Sequence, residues 1–245
     1  PSETLSAAVL AEIQRLHPSN IFIIGSTGAV RAGIETQVTS LSWNPSVTRL
    51  AGADRYATAG VVADAVKAKL GSVDKIVMAS GLSYADALAA APLAAAKGWP
   101  ILLTKQAALP SQTAAAVARM GATSSLIVGS TGVVGAGIES GLPSPVRQGG
   151  SNRYATSALV ADYAASFGMT YEYFGTTVGT NFPDALAAGP LFAKNNGIML
   201  LTAPASVSSQ VSARVSANKA AMKAFVVIGG AVQQGTINTM SSLMN

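Results

Sequence analysis

The sequence predicts an α/β protein made of tandem Rossmann-like repeats, each a small parallel sheet flanked by helices. Three observations carry this expectation. A set of motifs recurs at a fixed spacing, short apolar runs alternate with alanine-rich helical patterns, and the composition demands extensive burial: 49% of the residues are hydrophobic and only 11% charged. So little charge sits well below the roughly 25% usual for soluble domains and excludes intrinsic disorder.

The repeat comes first, because self-similarity fixes the architecture. Arg49-Leu-Ala-Gly-Ala-Asp-Arg-Tyr-Ala-Thr58 returns 98 residues later as Arg147-Gln-Gly-Gly-Ser-Asn-Arg-Tyr-Ala-Thr156. Gly81-Leu-Ser-Tyr-Ala-Asp-Ala-Leu returns at the same spacing as Gly179-Thr-Asn-Phe-Pro-Asp-Ala-Leu, and Pro100-Ile-Leu-Leu-Thr104 as Ile198-Met-Leu-Leu-Thr202. Ile21-Phe-Ile-Ile-Gly-Ser-Thr-Gly parallels Ser125-Leu-Ile-Val-Gly-Ser-Thr-Gly and, shortened, Phe225-Val-Val-Ile-Gly-Gly. The chain therefore reads as the second half of a first unit (residues 1–46) and two complete units (47–144 and 145–245), with boundaries at the Ser/Pro-rich stretches near Pro45 and Pro145.

Within the second unit the segments from Lys75 to Ser80, Pro100 to Thr104 and Ser125 to Gly129 are continuous apolar runs of the length that buried parallel strands favour. The segments from Arg55 to Leu70, Tyr84 to Lys97 and Ser111 to Met120 carry the 3.6-residue period of helices. Strand–helix alternation implies right-handed crossovers and a parallel sheet with helices on its faces. Pro92 and Pro190 fall inside helical segments and are expected to kink or end them.

Several function classes are excluded or disfavoured. There is no cysteine, hence no disulfide, thiolate metal site or cysteine nucleophile. The most apolar stretch, Ala85 to Leu103, is alanine-built and broken by Pro92, Lys97 and Pro100, so membrane insertion is not expected. The opening Pro1-Ser-Glu-Thr reads as the inside of a longer precursor. The net charge of +5 includes an acid-free stretch after residue 187 with Lys194, Arg214, Lys219 and Lys223. Basic surface suits polyanions or serves solubility, and the absence of arginine-rich runs and stacking signatures argues against nucleic acid. No metal-ligand cluster and no cofactor motif appears, and His17, the single histidine, has no counterpart in the other units.

Asp54 and Asn152 stand where helix caps belong. Arg55 and Arg153 follow them, in a first turn where the helix dipole disfavours a cation. Each unit also carries an arginine six residues earlier, Arg49 or Arg147. Two readings stay open: the arginines pair with acids across a unit interface, or they present a face to an anion. Asp86 and Asp184 resemble catalytic carboxylates, but each lies three residues after Ser83 or Asn181 in the spacing of a capping box. The Gly25-Ser-Thr-Gly28 and Gly129-Ser-Thr-Gly132 turns could bind phosphate through backbone N–H groups, yet match neither nucleotide fingerprint.

These motifs resemble the type 2 cell-wall-binding repeat of Gram-positive bacteria: Arg49 to Ala59, Ser80 to Ala94, Pro100 to Thr104 and Ile127 to Val134, in the family's order, with a second set 98 residues on. The resemblance implies Rossmann-like modules, usually three around a pseudo-threefold axis, that hold surface proteins noncovalently on anionic secondary wall polymers such as teichoic acids. It implies an extracellular location at the wall, a non-catalytic role without cofactor or metal, and intramolecular packing of the repeats. Polymer contact is expected at Arg49, Arg55, Arg147 and Arg153 and at the apolar segment Pro100, Ile101, Leu102 and Leu103. The third unit departs from the pattern at Gln148, Asn152, Ile198 and Met199. The alternatives are a wall-glycan enzyme using Asp86 and Asp184, and a purely self-packing structural module.

Overall fold

The computed structural model describes residues 2–245, and Pro1 of the opening lies outside the described residues. The half unit contributes α1 (Ala7–Leu16), β1 (Asn20–Ile24), α2 (Ala32–Thr39) and β2 (Ser46–Leu50). The second unit runs through α3 (Arg55–Leu70), β3 (Lys75–Ser80), α4 (Ala85–Lys97), β4 (Ile101–Thr104), α5 (Ser111–Met120), β5 (Ser124–Val128) and, after a 3-10 turn, β6 (Pro145–Gln148). The third comprises α6 (Arg153–Ser166), β7 (Thr170–Val178), α7 (Pro183–Lys194), β8 (Gly197–Thr202), α8 (Ser209–Asn218), β9 (Ala224–Ile228) and α9 (Gln234–Met244).

Every strand pairing is parallel, in the sheet orders β1-β2, β4-β3-β5-β6 and β8-β7-β9. The central strands are covered on both faces: all six residues of β3 and of β8 are buried, as their unbroken apolar runs require. β2 pairs with β1 from Asn20↔Ser46 to Ile24↔Leu50, and β6 pairs with β5 from Ser125↔Pro145 to Val128↔Gln148. The boundaries at 46/47 and 144/145 thus fall at the start of β2 and of β6. The strand that opens each sequence repeat is the edge strand of the preceding sheet, which ends at Leu50 or Gln148. The Ser/Pro-rich stretches only mark the turns into those strands.

The two complete units pack through their alanine-rich helices. α4 lies against α7, α6 and β8, and one cluster there joins Ala85 and Ala89 to Ala188, Phe192, Met199 and Leu201. Alanine and glycine suit this contact because small side chains let axes approach closely; a Cβ at Gly189 would stand 3.0 Å from that of Ala91. A larger cluster runs from Val77, Leu93 and Trp99 of the second unit to Val160, Phe174 and Ile198 of the third. The junction is thus core rather than a wetted seam.

Pro92 and Pro190 do not end their helices, which continue to Lys97 and Lys194. Pro92 is buried in α4, where packing offsets the missing N–H and its lost intrahelical bond. The capping-box reading also fails. Tyr84 and Phe182 occupy the cap positions of α4 and α7, and neither makes a side-chain cap bond.

At Lys75 the chain builds a contact with no clear sequence signature. Its nearly buried ammonium donates to the Tyr163 hydroxyl at 2.8 Å and stands 4.9 Å from the Trp99 ring and 4.8 Å from the Phe167 ring. This cation–π cage ties the foot of β3 to α6 across the junction.

Candidate functional site

Arg49 and Arg147 are committed to the fold. Arg49 bonds Glu35 at 2.9 Å through Nε and the Gly25 and Val30 carbonyls through Nη1. Arg147 bonds Glu139 at 3.0 Å through Nε and the Gly129 carbonyl at 2.8 Å. Each is an ion pair inside one sheet–turn unit, with the arginine side chain mostly buried. These two residues hold the turn after β1 or β5 against the neighbouring strand, which leaves little of either guanidinium for a ligand.

Arg55 and Arg153 are placed differently. Asp54 accepts from the Ala57 N–H at 2.8 Å, and Asn152 from the Tyr154 and Ala155 N–H groups at 3.0 and 2.9 Å, so the expected caps form. The next residue then turns its guanidinium onto the carbonyl that follows the central strand: Arg55 donates to Gly81, Arg153 to Gly179. Neither reaches a carboxylate across an interface by ion pairing. Six of the eight arginines, Arg15, Arg31, Arg49, Arg119, Arg147 and Arg214, form carboxylate ion pairs, whereas Arg55 and Arg153 form none among the described residues. Two cations outside any ion pair sit at the carboxyl ends of parallel strands, where open α/β sheets characteristically bind ligands.

The apolar segment divides by strand alternation. Pro100 and Leu102 are buried, while Ile101 and Leu103 are half-buried and line open clefts with Leu186. Their counterparts Met199 and Leu201 are fully covered, because α4 packs over them. Only Ile101 and Leu103 of the four expected contact residues reach the surface.

Asp86 and Asp184 are not poised as paired catalytic carboxylates. Asp86 is 6% exposed and lies between the second and third units. Burial pushes its carboxyl above the ordinary range, while a hydrogen bond from the Thr156 hydroxyl and the Arg153 charge pull it back. Thr156 Oγ1 already accepts the Gly150 N–H at 3.1 Å, which leaves its proton for Asp86. Asp184 stands in the matching place against Gly229.

The Gly-Ser-Thr-Gly turns give their first amide to the neighbouring strand, Gly129 N–H to Gln148 O at 2.9 Å and Gly25 N–H to Leu50 O at 2.8 Å, and their Ser130 and Ser26 carbonyls accept from the two residues that follow each turn. With Asp86 against Gly129 the turn faces a carboxylate, an unfavourable phosphate cradle. His17 caps α1 and stacks on Trp43 at 4.1 Å. No group of three potential metal ligands occurs among the described residues, and no helix is long and apolar enough to cross a membrane.

Tyr84 and Phe182 were not among the expected site residues. They stand 98 residues apart at the same repeat position, and that aromatic pairing is the signal that could have found them. Their rings meet edge-on at 5.5 Å across the junction, the Tyr84 hydroxyl donates to Thr180 O at 2.7 Å, and the Arg153 guanidinium stands 6.0 Å from the Tyr84 ring centre.

Residues 49–139 and 147–234 match the family described as Cell wall binding domain 2 (CWB2). The chain is 33% identical over 228 residues to N-acetylmuramoyl-L-alanine amidase LytC of Bacillus subtilis, covering 93% of this chain and 44% of that protein. It is 30% identical over 208 residues to the Amidase enhancer of the same organism, covering 84% of this chain and 27% of that protein. It thus spans less than half the length of either relative. Among solved structures, Cwp6 from Clostridium difficile superposes over 99% of this chain and 39% of its own with a TM-score of 0.89 at 25% identity. Cwp8 from the same organism shares the fold over 98% of this chain and 41% of its own with a TM-score of 0.84 at 23% identity.

Proposed function

This chain belongs to the cell wall binding domain 2 family, and from that premise we propose that it anchors a larger surface protein noncovalently on anionic secondary polymers of a Gram-positive wall, outside the cell. Cell-wall binding is the family's role; the polymer, a teichoic acid or a related acidic polysaccharide, is the finer reading. The observation that carries it is the distribution of arginine partners. A fold that pairs six arginines with carboxylates and leaves exposed Arg55 and half-buried Arg153, at equivalent places, outside any ion pair keeps two fixed cations for a ligand. Guanidinium groups bind phosphate and carboxylate in a planar fork, and each retains donors beyond the one given to Gly81 or Gly179. Two modest sites on one repeating polymer gain from effective concentration, which suits an anchor better than one tight pocket.

The test is sedimentation of the chain with Gram-positive walls before and after chemical removal of their anionic polymers, across a salt series. Binding is expected to vanish with the polymer, to weaken with salt, and to fall in the Arg55→Ala/Arg153→Ala double variant at unchanged fold. Retention on stripped walls, or a double variant that binds like the parent, would overturn the reading.

A further inference from the structure

The link from α7 into β8 follows the backbone path of its counterpart in the second unit with different chemistry. After α4 the chain passes through Gly98 at φ 68° into Trp99; the corresponding residues 98 positions later are Asn196, at φ 50°, and Gly197. Glycine is the ordinary occupant of a left-handed position after a helix, and asparagine is the side chain that best replaces it. Gly197 is fixed for another reason: it is buried where β8 begins, and a Cβ there would collide with the Tyr173 carbonyl oxygen. The fold thus sets an exposed asparagine directly before an obligatory glycine, the one such pair in the sequence. With no Cβ on the second residue, its nitrogen is unshielded from the asparagine side chain.

We propose that Asn196 is a site of spontaneous deamidation, gated by opening of the α7–β8 link, whose conversion loosens the third unit as the chain ages. The Gly197 amide nitrogen attacks Asn196 Cγ. The new C–N bond closes a succinimide ring as the Cγ–Nδ2 bond breaks, and the Gly197 proton leaves with that nitrogen as ammonia. Water then opens the ring. Breaking the Cγ–N bond gives aspartate, breaking the backbone C–N bond gives isoaspartate with the chain rerouted through Cγ, and either acid releases a proton to solvent. In the closed link this reaction is held back. Asn196 Nδ2 donates to Gly168 O at 2.7 Å, and the Asn196 carbonyl accepts from the Thr170 N–H at 2.9 Å. Cyclisation has to break the first bond so that the side chain swings onto Gly197, and has to shift a glycine wedged against Tyr173. Local opening costs less than global unfolding, so the folded chain converts at a rate set by that local equilibrium. Both products disturb the link. A carboxylate at 196 loses the donor to Gly168 O and sets negative charge against that carbonyl. Isoaspartate adds a backbone carbon just before β8, whose six residues are all buried and supply Ile198, Met199, Leu200 and Leu201 to the cores joining the two units. Asn195 is the internal control: it is equally exposed, but its amide donates to Leu191 O at 2.8 Å and its successor carries a Cβ.

The test is peptide mapping by mass spectrometry on the chain stored at neutral pH and physiological temperature, folded or unfolded in urea. Aspartate and isoaspartate are expected at Asn196 ahead of every other asparagine, at a rate at least about tenfold slower in the folded chain than in urea. The stored chain is expected to melt below the fresh one, and Asn196→Asp below the parent by about 2–4 °C. Asn196→Gly, which keeps the left-handed turn that the second unit makes with Gly98, is expected to hold its melting temperature through storage. No conversion in the folded chain, equal rates folded and unfolded, earlier conversion at Asn195, or an Asn196→Gly variant that ages like the parent overturns the proposal. None of these readouts involves walls, so the outcome is independent of the anchoring function.

Discussion

Asp86 on α4 closes directly on Gly129, the residue that follows β5: a Cβ at Gly129 would lie 2.8 Å from Asp86 Oδ2, and Asp184 crowds Gly229 in the same way. Both glycines hold positive φ, 110° and 95°, so backbone conformation and carboxylate contact together exclude any other residue. Gly129→Ala is expected to destabilise the chain by about 1–3 kcal/mol through strain and displacement of Asp86. Gly137→Ala, with open space around its Cβ, should change stability by less than about 0.5 kcal/mol. Denaturant melts of the two variants against the parent check the pair.

The raised affinity of Asp86 for a proton gives stability a definite pH dependence. A carboxyl whose folded pKa exceeds its unfolded value of 3.8 binds its proton more readily in the folded state. Its stabilising contribution is full below the unfolded value and is lost as pH rises through the folded one. Asp86→Asn is therefore expected to melt at or above the parent temperature at neutral pH, with the difference shrinking as pH falls toward about 4. A difference that grows on acidification contradicts the burial cause.

Arg147 should behave as a structural residue. Removing it strands Glu139 and leaves the Gly129 carbonyl without its side-chain donor. Arg147→Ala is expected to cost about 2–3 kcal/mol, whereas wall binding measured well below its melting temperature stays near the parent value. A stable variant with lost binding would return Arg147 to the polymer site.

The aromatic cage around Lys75 predicts an asymmetry between two mild changes at α6. Tyr163→Phe preserves the ring but removes the hydrogen-bond acceptor from a nearly buried ammonium, and is expected to cost about 1–2 kcal/mol. Ser166→Ala, in the same helix and exposed, removes only a local bond to Tyr163 O and should cost less than about 0.5 kcal/mol. Thermal melts of both decide the matter.

The repeat spacing, the parallel α/β class and the caps at Asp54 and Asn152 were legible because each rests on local chemistry or self-similarity. α3, β3 and α5 fall where the apolar periods put them. What escaped depends on contacts far apart in sequence. Nothing near Pro92 announces that α7 will brace α4 and let the helix run on. Nothing near Arg49 or Arg147 reveals that Glu35 in the preceding α2 and Glu139 in the preceding 3-10 turn neutralise them. The four arginines look alike as residues in a motif, and only the tertiary partners divide them into two that hold the fold and two that face outward. The apolar segment was legible as a strand, but its division into buried Pro100 and Leu102 and accessible Ile101 and Leu103 needed the neighbouring helices.

The stitching of β2 and β6 into the preceding sheets has a mechanical consequence. The segment leaving one sheet is itself a hydrogen-bonded parallel strand of that sheet before it becomes the next repeat, so no slack linker absorbs an extension between them. Tension along the chain loads β6 lengthwise against β5, and the row of bonds from Ser125↔Pro145 to Val128↔Gln148 bears the force in shear as one group. A single-molecule pull from the two ends should show one high-force rupture for this junction; stepwise low-force peeling would contradict it. A wall-binding chain so joined carries load through sheets instead of loops.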